Sequence, residues 1–286
     1  MRIAMIGSGV TGEATGIGLL HYGHDVIFYD IDERVLKKFS EDGYQVASNV
    51  LDAITESDVI FICVPTPTEN GKMDSTYVEK AAKSIAVSLR EITGYRVVAV
   101  KSTVLPFTSR NVVKPILEEE SGLKIGEDIG LCMNPEFLRQ KHALKDFLNA
   151  ERIVIGEYDS RSGSILEKLY ENFQCPVFRT DLETAEMVKY VANIFLANKI
   201  SYFNVMHLIS SKIGIDSKLI SKIVALDSRI GEYGVYGGRP FGGACLPKDL
   251  ESFISFTKDI DIEETFLNEI YRTNEKMKKK YKENEI

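Results

Sequence analysis

Tryptophan is absent from the 286 residues, and histidine and cysteine occur only four times each. The histidines, His21, His24, His142 and His207, form no HExxH-type cluster, so no catalytic metal is expected. The cysteines, Cys63, Cys132, Cys175 and Cys245, lie far apart, with neither zinc-ligand nor redox-pair spacing. Cys63 and Cys132 fall in the apolar runs ICV and LCM and read as strand interiors. No apolar run is long enough to span a membrane. The apolar run in the opening MRIAMIGSG is too short for a secretory signal. A reducing, cytoplasmic setting is therefore the expectation. Basic residues are in deficit, 35 against 42 acidic, for a net charge of −7. That balance argues against non-specific nucleic-acid binding. Repeats with periods of about 20–50 residues are also missing, which excludes solenoids and propellers.

What is present is alternation. Short apolar runs at residues 2–6, 25–29, 59–63, 96–100, 129–133 and 152–155 read as strands. Helical patterns at 11–22, 33–39, 76–91 and 109–120 lie between them. Strand and helix taking turns predict an α/β fold, a doubly wound parallel sheet of Rossmann type, over residues 1–180. After Asp181 the pattern becomes all-α over residues 181–286, a central domain with a long helix. Residues 182–213 contain no proline or glycine and carry apolar side chains at helical spacing. Gly214 reads as the C-cap of that helix and Asp216 as the N-cap of the next, 217–225. A glycine-rich loop covers 231–245, a helix begins near Pro247, and 262–285 reads as a helix with a charged, solvated end. The apolar positions of the long helix exceed one face, so it is the expected homodimer element.

The first strand runs into Gly7-Ser8-Gly9-Val10-Thr11-Gly12, a G-x-G-x-x-G turn that opens a helix. In such a turn the first glycine permits the bend, the second admits a pyrophosphate to the backbone, and the third lets helix and strand pack closely. Asp30 closes the second strand at the spacing of a ribose-binding carboxylate. A carboxylate there repels a 2′-phosphate, so NAD is expected rather than NADP. Asp32 reads as the cap of the following helix. Val64, Pro65 and Thr66 after the third strand, and Thr103 after the fourth, face the same crevice at the carboxyl ends of the strands.

Phe241-Gly242-Gly243-Ala244-Cys245-Leu246-Pro247-Lys248-Asp249 carries the chemistry. Pro247 suits a first helical turn, which puts Cys245 at a helix N-terminus, where a thiolate is favoured. Together with VPTPT, KST, NPEFLR, RIVIG, EMVKYVANIFLANKISYFN and DSRIG, this stretch makes the chain resemble the UDP-glucose/GDP-mannose dehydrogenase family nearly end to end. The resemblance implies an NAD-dependent, two-step oxidation of a nucleotide-sugar primary alcohol, with C6 of UDP-glucose the first choice. It implies Cys245 as the nucleophile that forms a thiohemiacetal and then a thioester. Lys189 and Asn193, one turn apart on the long helix, would stabilise oxyanion character. Asp249 would hold water or assist proton transfer, Glu136 would promote thioester hydrolysis, and Thr103 would stand near that water and the nicotinamide. Lys248 is similar to a cofactor-contacting lysine. Arg229 matches an arginine that reaches the sugar nucleotide, often from a neighbouring subunit. Phe241, Gly242 and Gly243 would line the substrate.

Two residues depart from the family pattern. Gln140 stands where many members carry glutamate, and Val205 follows Asn204 where glutamate is common. An amide at position 140 can hydrogen-bond but cannot act as a base. The chain is also expected to lack the family's C-terminal nucleotide-binding domain. Two other readings compete with an active dehydrogenase. One is an NAD-binding, non-catalytic subunit that needs a partner. The other is a single-step hydroxyacid dehydrogenase, which has no need of Cys245.

Overall fold

The structure is a computed structural model that describes residues 1–283. It divides into two compact units. The first comprises Met1–Pro67 and Asp74–Lys189, and the second comprises Thr68–Met73 and the chain from Tyr190 onward.

The first unit runs β1 (Arg2–Ile6), α1 (Val10–His21), β2 (Asp25–Tyr29), α2 (Glu33–Glu41), β3 (Gln45–Val46), α3 (Val50–Ile54) and β4 (Val59–Ile62). The chain then makes β5 (Thr68–Glu69) and β6 (Lys72–Met73), which belong to the second unit. It returns with α4 (Thr76–Leu89), β7 (Val97–Val100), a π-helical turn (Ser109–Val113), α5 (Lys114–Ser121) and β8 (Gly130–Met133). The unit closes with α6 (Ala143–Leu148), β9 (Ile153–Glu157), α7 (Ser160–Lys168), β10 (Val177–Asp181) and the start of α8 (Leu182–Lys212).

Its eight strands form one sheet in the order β10-β9-β8-β7-β4-β1-β2-β3. β4, β7 and β8 are buried along their whole length. This is why they read as unbroken apolar runs: helices cover both faces of such a sheet. The order reverses between β1 and β4, which opens a crevice at the carboxyl ends of the strands. Asp32 caps α2 as expected, accepting from the Arg34 amide.

The sheet differs from the all-parallel expectation at one place. β9 pairs antiparallel with β8, and β10 runs parallel to β9. α6, about 9 Å long at 1.5 Å per residue, does not make a right-handed crossover. It packs on α1 instead, with the Phe147 ring against Gly18. β10 escaped the sequence reading because it is an edge strand with Phe178 turned to solvent, so its apolar pattern is broken.

The second unit contains the β5–β6 hairpin, the remainder of α8, α9 (Ser217–Val224), α10 (Leu246–Asp259) and α11 (Thr265–Glu283). Gly214 is left-handed after α8, and Asp216 caps α9 through the Lys218 and Leu219 amides. The last residues of the expected C-terminal helix lie outside the described residues. The hairpin was legible but unread. Asn70 and Gly71 both have positive φ, as an Asn-Gly turn requires. Thr68 Oγ1 donates to the Lys248 carbonyl at 3.0 Å, which fastens the hairpin to α10.

A Cβ at Gly12 would stand 2.0 Å from the Gly7 carbonyl oxygen. Gly12→Ala is expected to cost about 1–3 kcal/mol of unfolding free energy as overpacking. Urea denaturation measures it, and an unchanged midpoint would show that α1 can shift off the turn freely.

Candidate active site

The glycine turn is built for an anion. Gly9 is the N-cap of α1, and no side chain caps the first turn. The first amides of α1, those of Val10 and Thr11 among them, therefore have no intrahelical partner. No heavy atom lies within 4 Å of where a Gly9 Cβ would be. This open cradle fits a dinucleotide pyrophosphate. Asp30 is half-buried and already employed: its Oδ2 accepts from the Ser8 amide at 2.7 Å and its Oδ1 from the Asp32 amide at 3.0 Å. Its remaining lone pairs are the ones left for a ribose. Across the switch point, the ends of β4 and β7 are stitched together. Thr66 Oγ1 donates to the Thr103 carbonyl at 2.7 Å, and Ser102 Oγ donates to the Val64 carbonyl at 2.6 Å. Pro65 between them is exposed.

In the same unit, Lys189 Nζ donates to Glu136 Oε1 at 2.7 Å, and both side chains are buried. The Leu138 amide donates to the other Glu136 oxygen. A buried carboxylate is tolerable only with such partners, and removal of one from a pair costs about 3–5 kcal/mol. Beneath lies a second network. Buried Lys101 donates to Asn134 Oδ1 at 2.8 Å, the Tyr170 hydroxyl donates to the same oxygen, and Asn134 Nδ2 donates to the Val154 carbonyl at 2.7 Å. Burial pushes the Lys101 ammonium down to about 8. Burial pushes the thiols of Cys63 and Cys132 up to about 12, which makes both inert.

The second unit holds Cys245 with Asn193, Lys248 and Asp249, whereas Thr103, Glu136 and Lys189 belong to the first. Cys245 is half-buried and is the N-cap of α10, with Pro247 in the first turn. The Asp249 amide makes the first helical bond, to the Cys245 carbonyl at 2.9 Å. The Asp249 carboxylate is fully buried. Its Oδ2 accepts from Asn193 Nδ2 at 2.7 Å and its Oδ1 from Lys248 Nζ at 2.6 Å. Gly242 and Gly243 leave the space around their α-carbons open. Phe241 is buried among the core side chains. Arg229 stands on an exposed turn, its Nε and Nη2 donating to the two Asp227 carboxylate oxygens at 3.0 and 2.6 Å.

Sequence and fold comparison can be set against this geometry. Residues 33–174 match the profile of the UDP-glucose/GDP-mannose dehydrogenase family, NAD binding domain, and residues 183–276 match the central domain of the same family. GDP-mannose 6-dehydrogenase of Pseudomonas savastanoi pv. phaseolicola is 35% identical over 96% of this chain and 68% of its own length. The chain belongs to the UDP-glucose/GDP-mannose dehydrogenase family. UDP-glucose 6-dehydrogenase TuaD of Bacillus subtilis is 37% identical over 97% of this chain and 63% of its own length. A UDP-glucose dehydrogenase from Pyrobaculum islandicum superposes with a TM-score of 0.89 and is 34% identical, covering 96% of this chain and 68% of that one. The cofactor of this family's Rossmann domain is NAD, as the glycine turn and Asp30 lead one to expect.

Several residues that shape these sites went unread in the sequence. Asn274 on α11 takes both backbone groups of Phe241, accepting from its amide at 2.8 Å and donating to its carbonyl at 3.0 Å. Asn204 does the same for the loop upstream, with the Gly238 amide at 2.8 Å and the Arg239 carbonyl at 2.9 Å. Lys199 donates to the Ile230 carbonyl at 2.5 Å. Glu186 is fully buried and accepts from the amides of Phe107 and Ser109, each at 2.7 Å. Glu186 shares a helix face with Lys189 and Asn193, three and seven positions on, and that polar spacing was the available signal.

Burial pushes the Glu186 carboxyl from the ordinary 4.5 up to about 7. The folded state then holds this proton more tightly than the unfolded chain does. Its stabilising contribution is complete below the ordinary value and is lost as pH rises through about 7. Between these limits the wild-type chain is expected to lose up to about 3 kcal/mol relative to Glu186→Gln, which has no proton to release. Urea titrations of both proteins at either end of the window measure the difference, and parallel pH profiles would contradict it.

Proposed function

We propose that this chain catalyses the NAD-dependent two-step oxidation of a nucleotide-sugar primary alcohol, C6 of UDP-glucose first among candidates, to the uronate. The observation that carries the reading lies in the second unit: a fully buried Asp249, bonded to Asn193 and Lys248, stands one helical turn beyond the cysteine that caps the helix. A packing cysteine has no need of such surroundings. Bound NAD supplies a hydride acceptor for each oxidation. The Cys245 thiolate adds to the aldehyde carbon to form a thiohemiacetal, and loss of the second hydride leaves a thioester. Water then cleaves the thioester, which releases the carboxylate and returns the thiol. Over the cycle two hydrides leave and one water enters.

Asn193 and Lys189 donate to the substrate oxygen as it gains charge, and helical spacing puts them one turn apart on α8. Asp249 takes and returns the alcohol proton. Glu136, kept in place by Lys189 and the Leu138 amide, orients the hydrolytic water alongside Thr103. Lys248 and the residues Val64, Pro65 and Thr66 serve the cofactor; Gly242 and Gly243 admit the sugar nucleotide, with Phe241 as the buried anchor of their loop. The Bacillus relative and the Pyrobaculum structure support UDP-glucose, while the Pseudomonas relative makes GDP-mannose the alternative.

The partner is a second copy of the chain. Val191, Phe195, Tyr202, Ile209 and Ile213 are exposed. At 3.6 residues per turn the first four fall within about 40° of arc on α8, and Ile213 lies just past its end. Leu219 and Ile223 extend the exposed apolar surface onto α9. An apolar stripe of this kind calls for a helix-on-helix interface. Arg229 would then act on a sugar nucleotide held by the neighbouring copy.

Two NADH per uronate are expected from UDP-glucose, measured by absorbance against product mass. Cys245→Ser should retain NAD binding and lose complete oxidation, by about 1,000-fold or more in kcat. One NADH per substrate, indifferent to that change, would contradict the thioester route. Phe195→Glu should convert the dimer to monomer in light scattering after size exclusion, because a buried unpaired charge costs several kcal/mol; a wild-type monomer would remove the interface.

A further inference from the structure

The segment of residues 103–109 leaves the carboxyl end of β7, the same sheet edge as the glycine turn. Its first residue is pinned by Thr66, which donates to the Thr103 carbonyl at 2.7 Å. Farther along, Phe107 has a φ of 73°, a left-handed conformation that a bulky residue adopts only under constraint. The constraint is visible. Glu186 Oε2 accepts from the Phe107 amide and Glu186 Oε1 from the Ser109 amide, both at 2.7 Å, and the side chain is wholly shielded from solvent. One carboxylate thus bridges two amides of the same segment, just where the π-helical turn begins. Phe107 itself is half exposed, so packing of its ring does not account for the backbone.

We propose that Glu186 is a positioning residue for the NAD site: by clamping the Phe107 and Ser109 amides it holds the strained turn and so fixes the backbone that carries Thr103. The inference rests on reading Thr103 as a cofactor-side residue. The clamp is also sensitive to protonation. The charged groups around it are Glu183 on the same helix, Arg110 of the π-helical turn, which is paired with Glu183, and Asp181 at the end of β10 beside that pair. Glu183 opposes ionisation of Glu186, and burial opposes it more, so the carboxyl takes up a proton near neutrality. A protonated carboxyl retains one strong acceptor oxygen where two amides need one each. NAD affinity is therefore expected to fall as the solution is acidified.

The test reads NAD binding and backbone exchange rather than turnover, so it stands apart from the success or failure of the dehydrogenase reading. NAD affinity is measured by titration calorimetry across neutral pH, and amide exchange of the 104–113 peptide by mass spectrometry, on the wild type, Glu186→Gln and Glu186→Gln with Phe107→Gly. Glu186→Gln should speed exchange of that peptide about tenfold and weaken NAD about fivefold, and its affinity should no longer depend on pH in this range. Phe107→Gly in the same protein should restore at least about half of the lost affinity, in logarithmic terms, because glycine takes a positive φ without a clamp. If Glu186→Gln does not fold, Glu186→Asp serves: it keeps the charge but is too short to reach both amides, and faster exchange, weaker NAD binding and rescue by Phe107→Gly are expected at smaller amplitude. A wild-type affinity that is flat across neutrality overturns the proposal, as does faster exchange with unaltered NAD affinity, or a glycine at 107 that deepens the loss. Thr103→Val separates the two claims: if it leaves NAD affinity unchanged while Glu186→Gln lowers it, Thr103 is not the residue through which the clamp acts.

Discussion

Carboxylates wholly or partly withdrawn from water and held by N–H donors recur through the candidate site. Asp30 grips the Ser8 amide inside the glycine turn, Glu136 sits between Lys189 and the Leu138 amide, and Glu186 bridges two amides beside β7. In the second unit Asp249 lies between Asn193 and Lys248. An anion in such a place is costly unless its lone pairs are filled, and the filled ones are directional. The desolvation that makes these groups expensive is what makes the loops they hold stand still. It also moves the proton affinity of Glu186 toward neutrality.

Neutral amides do the corresponding work on the glycine-rich loop. Asn204 and Asn274 each satisfy one amide and one carbonyl of the loop backbone, so the loop leading to Cys245 is fastened by side chains of α8 and α11. A segment with many glycines has much conformational entropy to lose. Fastening it from rigid helices lets Gly242 and Gly243 leave open space around the backbone without leaving the cysteine unplaced. The contrast among the cysteines follows from the same physics. Cys63 and Cys132 are sealed in the sheet and their thiols are pushed up to about 12, whereas Cys245 is partly exposed at a helix start. Family membership is established by two matched domains and by relatives sharing about a third of their residues.

β1, β2, β4, β7, β8 and β9, the glycine turn and the caps at Asp32, Gly214 and Asp216 were legible in the amino-acid order, because each depends on neighbours within a few residues. Period-two and period-3.6 burial is written into the chain directly. The motif around Cys245 was legible for the same reason: proline and a helix start are local signals. Unread were the antiparallel turn of β9, the edge strand β10 and the assignment of the β5–β6 hairpin to the second unit. Direction and pairing depend on where a connection lands, and no local pattern encodes that.

The sequence by itself determined the α/β alternation, the dinucleotide turn with its acidic partner and the cysteine at a helix start, since backbone conformation and side-chain period are properties of adjacent residues. Only the tertiary structure decided that Lys189 meets Glu136 across 53 positions, that Asn193 meets Asp249 across 56, and that Glu186 reaches back 79 to Phe107. Those meetings are hydrogen bonds between groups far apart along the chain, and they exist only once burial has excluded the water that would otherwise satisfy each partner separately.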